Sequence, residues 1–316
     1  MIIGHQPIIQ FFERALAQGS LAHAYCLVGP DQVGKRTVAR YIASKLLGRE
    51  ADRLETSPDF YYLERTIDPK TGKMKRELTV AQARELRERL QHRSWGGGYQ
   101  VFIIDEIESL NEEAANALLK ILEEPPEQTI VFLLTEDDLA LPATIRSRTQ
   151  LFYFSLVPER ELRAGLKSLE HSEQATLTAI SFGAGRPGRA LTVLADNELR
   201  AQWEGEQQRL TGMLQQPFHT KLAAIEDIFG EKEGDSIKNR ERLAKTLEIW
   251  ILFFRQLLLQ KSGARATARW QIEKNVGATF SARQLGGMIE GLMTARRSVE
   301  QNIHPGLLVE QLVLHF

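Results

Sequence analysis

The sequence predicts an α/β fold, with a parallel sheet flanked by helices, followed by an all-helical C-terminal part. Three continuous apolar runs of buried-strand type lie at 25–28, 101–104 and 130–134. Helical patterns separate these runs, and strands that alternate with helices form parallel sheets with helices on both faces. After Phe154 the strand patterns stop and helical spacing of apolar residues takes over. We therefore expect an α/β module that gives way to helical domains.

The composition is typical of a soluble globular protein of two or three domains. The chain has 316 residues, of which 43% are hydrophobic and 26% are charged, and its formal net charge is −1. It contains no apolar run of membrane-spanning length and no signal-peptide pattern, so we expect a cytoplasmic protein. The near-neutral charge argues against a protein that binds nucleic acid by itself. The single cysteine, Cys26, excludes disulfides and thiolate metal clusters.

The first strand runs into the spacing of a phosphate-binding loop, from Gly29 to Lys35. In such a loop the backbone N–H groups hold phosphates, the lysine reaches the β and γ oxygens, and the next hydroxyl binds Mg²⁺. Here the next residue is Arg36, which has no lone pair for a metal. Thr37 cannot easily replace that hydroxyl, because one helical step turns a side chain by roughly 100°.

Gln32 adds a second irregularity, since it stands where such loops often carry glycine. The sequence therefore predicts a nucleotide fold whose own hydrolysis is impaired or absent. A loop that only turns a strand into a helix remains the alternative. The candidate nucleotide contacts in this region are Gly29, Gly34, Lys35 and Thr37.

Two acids close the second apolar run. Asp105 and Glu106 follow Val101 to Ile104, which is the Walker-B arrangement. In an active site, Asp105 would order Mg²⁺ and Glu106 would polarise the attacking water. The alternative is that the two acids are solvated loop residues or cap the next helix.

One helix and one strand complete the predicted sheet region. Asn111 is a candidate N-cap, and Pro125 and Pro126 end the helix. The apolar positions that share one face of this helix are Ala114, Ala117, Leu118, Ile121 and Leu122. The third strand then ends at Thr135.

Several of these segments resemble the AAA+ subunits of bacterial sliding-clamp loaders. The similarity lies in the helix from Asn116 to Pro126 and in Ile145-Arg146-Ser147-Arg148, and it includes 3–6 and 23–25. It is dense through about residue 190 and resumes at 302–310. The resemblance implies an AAA+ module, a small helical lid and an all-α collar, which we place at 1–155, 156–205 and 206–316.

The resemblance also implies roles for individual residues. Arg148 matches the arginine finger that reaches the ATP site of a neighbouring subunit, although Thr149 replaces the usual cysteine of that motif. Thr135 matches the position that senses a γ-phosphate. As alternatives, Arg146 and Arg148 are ordinary surface charges and Thr135 is a strand-end residue.

The family further implies a non-motor subunit that helps to load the sliding clamp on primed DNA. Its expected partners are the gamma/tau and delta subunits in a hetero-pentameric ring, with the sliding clamp and primer-template DNA reached through the complex. No cofactor is required, and ATP or ADP binding without turnover stays open. The alternatives are a catalytically active clamp-loader ATPase, against which Arg36 and Gln32 argue, and a freestanding nucleotide enzyme, which leaves the clamp-loader motifs unexplained.

Two further expectations concern the region after the loop helix. Many relatives carry a four-cysteine zinc module there, but 46–56 has no cysteine, so we expect no zinc and no other metal. The segments 61–65 and 74–78 flank a Pro- and Gly-containing turn and predict a basic hairpin. A solvated tip is favoured there over contact with a phosphate backbone.

Overall fold

The chain forms two compact units in the computed structural model. The first comprises Met1–Val157 with Arg186–Gly188, and the second comprises Pro158–Gly185 with Arg189–Phe316. The predicted division into three domains stays a prediction. The structure describes residues 1–67, 75, 79–91, 94, 95, 97–169, 171–214, 216, 217, 219, 220, 236–262 and 280–300.

A five-stranded sheet forms the centre of the first unit. Its order is β2-β3-β4-β1-β5, and each neighbouring pair is parallel. The predicted α/β class is therefore confirmed. The strands are Ala24–Val28 (β1), Phe60–Leu63 (β2), Gln100–Ile104 (β3), Thr129–Thr135 (β4) and Gln150–Tyr153 (β5).

Both faces of this sheet are packed. Tyr25 and Cys26 are consecutive in β1 but belong to different buried clusters, because successive strand residues point to opposite faces. This explains why the strands are continuous apolar runs rather than alternating ones. The helices of the first unit are Gln6–Gln18 (α1), Lys35–Leu47 (α2), Val80–Gln91 (α3), Glu112–Glu123 (α4) and Ala143–Arg146 (α5).

Side-chain caps begin two of these helices, and the sequence predicts the cap at Asn111. The Asn111 side chain accepts a hydrogen bond from the N–H of Ala114 at 2.9 Å and caps α4. At α3, Thr79 Oγ1 accepts from the N–H of Gln82 at 3.3 Å, and Gln82 Oε1 accepts from the N–H of Thr79 at 3.0 Å. This reciprocal pair is a capping box. The predicted apolar face of α4 is also confirmed, since all five positions are buried.

The region of the predicted basic hairpin is described only in part. Phe60–Leu63 pairs in parallel with β3, so the start of the predicted first arm is a strand of the central sheet. The N–H of Lys75 donates to the Thr66 carbonyl at 3.0 Å, and the hairpin stays a prediction. The pairing with β3 was not predicted, because parallel pairing depends on distant residues, whereas turn chemistry is local. The turn at 68–73 and all of the second arm except Lys75 lie outside the described residues.

Every element described beyond Pro158 is a helix, which confirms the predicted helical C-terminal part. A buried stripe on the long helix after Ser236 includes Leu247, Trp250 and Phe253, as its spacing predicts. Among the described residues, no helix has the length and apolar character needed to cross a bilayer. The helices are Glu159–Lys167 (α6), Glu173–Gly183 (α7), Pro187–Ala195 (α8), Asn197–Leu214 (α9), Ser236–Lys261 (α10) and Ala282–Glu300 (α11).

Candidate functional site

The loop from Gly29 to Gly34 joins β1 to α2. Steric constraints of the backbone require glycine at both ends of this loop. A Cβ on Gly29 would lie 2.3 Å from the carbonyl oxygen of Phe154, so only glycine fits beside the end of β5. Gly34 has a φ of 118°, a conformation that L side chains rarely adopt, directly before the first turn of α2. Both glycines therefore serve the strand-to-helix connection whether or not a nucleotide binds.

Lys35 is the first residue of α2 and is 8% exposed. Its ammonium donates to the carbonyl oxygens of Gly29 and Pro30, the latter at 3.0 Å. Burial lowers the Lys35 pKa, and the surrounding carboxylates, Glu136 and Asp105 first, oppose that shift. The lysine of the loop is thus held by the loop's own carbonyl groups.

Arg36 binds the first of the two acids after β3. Its Nε lies 3.2 Å from Asp105 Oδ2, and its Nη2 forms an ion pair with Glu64. The guanidinium also lies over the Tyr62 ring, 4.5 Å from its centre, and the Tyr62 hydroxyl donates to Asp105 Oδ2 at 2.8 Å. The guanidinium of Arg36 therefore already pairs with the Asp105 carboxylate, which would order Mg²⁺ in an active site.

The environment of Asp105 combines burial with this neighbouring charge. Burial raises the pKa of Asp105, and Arg36 is the strongest influence that lowers it. The N–H of Glu106 donates to Asp105 Oδ1 at 3.0 Å and also favours the ionised form. Arg36 is thus the principal charge partner that offsets the burial of this carboxylate.

A different arginine binds the second acid. Arg65, which follows β2, forms an ion pair with Glu106 through its Nε. The hydrogen bond to Glu106 is the main cause that raises the Arg65 pKa. Each acid after β3 is therefore paired with an arginine, one from α2 and the other from the segment after β2.

Thr135 lies beside the loop, with its hydroxyl engaged in the turn that follows β4. Thr135 Oγ1 accepts from the N–H of Asp137 and donates to the Asp137 carbonyl, both at 3.1 Å. The Thr135 carbonyl accepts from the N–H of Gly29 at 3.1 Å. Thr37 is exposed on α2. The structure therefore brings Thr135 next to the loop through its backbone, and its hydroxyl serves the turn.

The two arginines of the 145–148 motif have different surroundings. Arg146 Nε lies 3.1 Å from Asp138, whose side chain is 12% exposed, so Arg146 serves the fold by pairing with a mostly buried carboxylate. Arg148 Nη1 donates to the Thr144 carbonyl at 3.0 Å, and its Nη2 lies 3.0 Å from Glu123 Oε1. Because its side chain is 35% exposed, Arg148 remains accessible at the protein surface.

Comparisons with known proteins match this architecture. Residues 4–158 match the family model described as DNA polymerase III, delta subunit. DNA polymerase III subunit delta' of Escherichia coli is 38% identical over 148 residues, covering 46% of this chain and 42% of that protein. Residues 4–158, about half of the chain, belong to the DNA polymerase III clamp-loader family.

Another member of the clamp-loader family matches over a longer stretch at lower identity. DNA polymerase III subunit tau of Bacillus subtilis is 26% identical over 342 residues, covering 99% of this chain and 60% of that protein. The chain thus spans 60% or less of the length of these two relatives. A solved gamma subunit-related protein of Thermotoga maritima aligns with a TM-score of 0.48 and 15% identity, covering 98% of this chain and 97% of that one.

Clamp-loader membership, together with the strand order, confirms the AAA+ module predicted for the N-terminal part. The assignment of individual residues stays a prediction, because family membership does not test what each side chain does. This applies to the finger Arg148, to the sensor Thr135 and to the nucleotide contacts around Lys35. It also applies to the roles of Asp105 and Glu106.

Four residues of this candidate site were not predicted from the sequence. Tyr62 and Arg65 contact the two acids and Glu64 pairs with Arg36, but all three lie in the segment interpreted as a hairpin. His5 Nε2 lies 3.0 Å from the Val33 carbonyl and so contacts the loop directly. The only signal for His5 was its place in the 3–6 segment that resembles the family.

Metal ligation and the charged contacts of the second unit lie apart from the loop and the two acids. The described residues include no group of three or more His, Cys, Asp or Glu side chains placed to hold a metal ion. The predicted absence of zinc and of any other metal stays a prediction. In the second unit, Arg189 of α8 pairs with Glu248 of α10 and lies 5.2 Å from the Phe182 ring centre.

Proposed function

We propose that this chain is a non-motor, delta-prime-type subunit of a DNA polymerase III clamp loader. It takes part in loading the sliding clamp on primed DNA, and it supplies Arg148 to the ATP site of a neighbouring motor subunit. The observation that carries the non-motor assignment is the pairing of Arg36 with Asp105 and of Arg65 with Glu106.

The pairing with Arg36 opposes hydrolysis through charge. An active loop needs Mg²⁺ between a loop hydroxyl and the first acid. Here the guanidinium of Arg36 pairs with the first acid, Asp105, and the residue directly after Lys35 carries no hydroxyl. A metal ion at Asp105 would have to displace Arg36 or sit beside a like charge, and both arrangements cost free energy. Mg²⁺-dependent turnover at this site is therefore disfavoured.

The pairing with Arg65 acts on the second acid. A glutamate at this position polarises the attacking water only if its carboxylate faces that water. Glu106 instead accepts from Arg65, and its backbone has a φ of 49°, in the left-handed region. Aligning Glu106 with a water molecule would require breaking this ion pair. Both acids of the site are thus withdrawn from catalysis.

Arg148 supplies the chemistry that the chain contributes to its neighbour. A guanidinium presented to a γ-phosphate stabilises the negative charge of the transition state, and arginine fingers accelerate hydrolysis by about 10³-fold to 10⁵-fold. Arg148 pairs with an exposed carboxylate, Glu123, whereas Arg146 pairs with the mostly buried carboxylate of Asp138. We assign the partners by family: gamma/tau motor subunits and a delta subunit in a five-membered ring, acting on the clamp and primer-template DNA.

The second candidate function is an active motor subunit of the gamma/tau type. The retained loop lysine and both Walker-B acids favour it, and so does the match to the tau subunit over 99% of this chain. The two candidates differ in one measurable property, which is ATP turnover by the isolated chain.

ATP hydrolysis tests the proposal directly. We expect no turnover by the purified chain and robust turnover once motor and delta subunits, clamp and primed DNA are added. Arg148→Ala should lower turnover of the complex without preventing assembly, because the neighbouring ATP site loses a cation worth about 10³-fold in rate. Lys35→Ala should leave turnover of the complex unchanged. Turnover by the isolated chain that Lys35→Ala abolishes would establish a motor instead.

A further inference from the structure

The carboxylate that holds Arg148 lies at the end of another element. Glu123 is the last residue of α4, and its Oε1 is 3.0 Å from Arg148 Nη2. Both side chains are partly exposed, at 53% for Glu123 and 35% for Arg148. Arg148 belongs to the connection between α5 and β5, so this ion pair joins two separate segments of the first unit.

The position of Glu123 is unfavourable for its own helix. The C-terminal end of a helix carries partial negative charge, so an acid there is destabilised and a cation is stabilised. Glu123 nevertheless ends α4, and the guanidinium of Arg148 compensates its charge. The partial negative charge at the end of α4 and the carboxylate of Glu123 both attract the guanidinium of Arg148.

The contacts of Arg148 leave donors available for a ligand. Nη1 donates to the Thr144 carbonyl and to Ser147 Oγ, and Nη2 pairs with Glu123. A guanidinium has five N–H donors, and these three contacts use three of them. The side chain is thus held from two sides while donors remain for phosphoryl oxygens.

We infer that Glu123 is a positioning residue for Arg148, holding the guanidinium ready for the neighbouring ATP site. This inference rests on the proposed function, because it requires Arg148 to act in trans. Ordering an arginine side chain on a phosphate costs conformational entropy. A carboxylate that already orders the side chain before the phosphate binds reduces this cost. Because the ion pair between Glu123 and Arg148 is exposed, it is weak, and a phosphate group can displace Glu123 from the guanidinium.

Charge reversal with a neighbouring control tests this role. Glu123→Lys should lower kcat for ATP hydrolysis of the reconstituted complex by about fivefold or more, and Glu123→Gln by up to about fivefold. The KM for ATP should not change, because a finger acts on charge that develops in the transition state. The matched control is Glu124→Lys, whose parent residue is also exposed and is adjacent in sequence. The control should stay within about 1.5-fold of the unmodified complex.

The Arg148→Ala background separates positioning from a structural role. In that background, Glu123→Lys should have no further effect, because the side chain it positions is gone. Assembly of every variant is checked by size-exclusion chromatography, and Glu123→Gln carries the test if Glu123→Lys does not assemble. If Arg148→Ala slows the complex but Glu123→Lys matches Glu124→Lys, or acts equally without Arg148, the positioning role is wrong. If Arg148→Ala itself has no effect, the proposed finger is wrong.

Discussion

The side chain directly after the loop lysine pairs with the first of the two acids after β3. Arg36 stands where a hydroxyl would hold Mg²⁺, and it contacts Asp105 and Glu64 instead. Its charge is permanent, whereas a bound metal ion comes and goes with the nucleotide. In the proposed non-motor role, Arg36 replaces an exchangeable cation with a fixed one, so that the fold is retained without hydrolysis.

Restoring a hydroxyl at this position should restore metal-dependent nucleotide binding. Arg36→Thr removes the cation from Asp105 and introduces a potential metal ligand. Binding of Mg²⁺·ATP should tighten by about tenfold or more, which corresponds to about 1.4 kcal/mol. Fluorescent ATP titrations with and without EDTA measure this change. Arg40→Thr is the matched control, because Arg40 lies on the same helix and pairs with Glu55. Equal binding by both variants would show that Arg36 does not block the site.

The thiol of Cys26 gives a pH-dependent prediction. Burial raises the pKa of Cys26 from 9.0 to about 12, with the nearby carboxylates Asp138 and Glu108 adding to the shift. At pH 8 the native protein should hold about 10³-fold less thiolate than an exposed cysteine of ordinary pKa. Labelling with a thiol reagent at pH 8 should therefore be slow in the native protein and fast in guanidinium chloride. Rapid native labelling would contradict the burial of β1.

At the scale of elements, the strands packed on both faces were predictable and the edges were not. β1, β3 and β4 are buried along their whole length and appear as continuous apolar runs. β5 was not predicted because its residues are half-buried or exposed, and its assignment depends on pairing with β1. The mismatch at Arg36 was visible in the sequence. Its partner Asp105 lies 69 positions away, and only the folded sheet brings the two together.

Helix α4 links local sequence to the site, since it begins at the Asn111 cap and ends at Glu123. Asn111→Ala should lower the free energy of unfolding by about 1 kcal/mol, because the N–H of Ala114 loses its acceptor. The matched control is Asn116→Ala, the same change on the exposed face of α4. That control should be neutral or slightly stabilising, because alanine is the better helix former. Urea denaturation followed by circular dichroism compares the two, and equal losses would exclude a capping role for Asn111.

At the scale of the whole molecule, the chain combines an intact nucleotide fold with paired acids and an exposed arginine. The parallel sheet, the loop and both Walker-B acids are present. The ion pairs of Arg36 and Arg65 concern only the chain's own site. In the proposed role, Arg148 acts at the ATP site of a neighbouring subunit. Loss of one function and retention of the other are therefore compatible in the same molecule.

This separation predicts the number of nucleotides bound by the assembled loader. A complex reconstituted with this chain should bind as many non-hydrolysable ATP molecules as it has motor subunits, because Arg36 and Arg65 occupy the acids of this chain's own site. Lys35→Ala in this chain should leave that number unchanged, whereas the equivalent lysine substitution in one motor subunit should lower it by one. Equilibrium dialysis at saturating nucleotide counts the sites. One nucleotide beyond the motor count that disappears with Lys35→Ala would mean that this chain keeps a nucleotide of its own, and the non-motor role would then rest on lost hydrolysis alone.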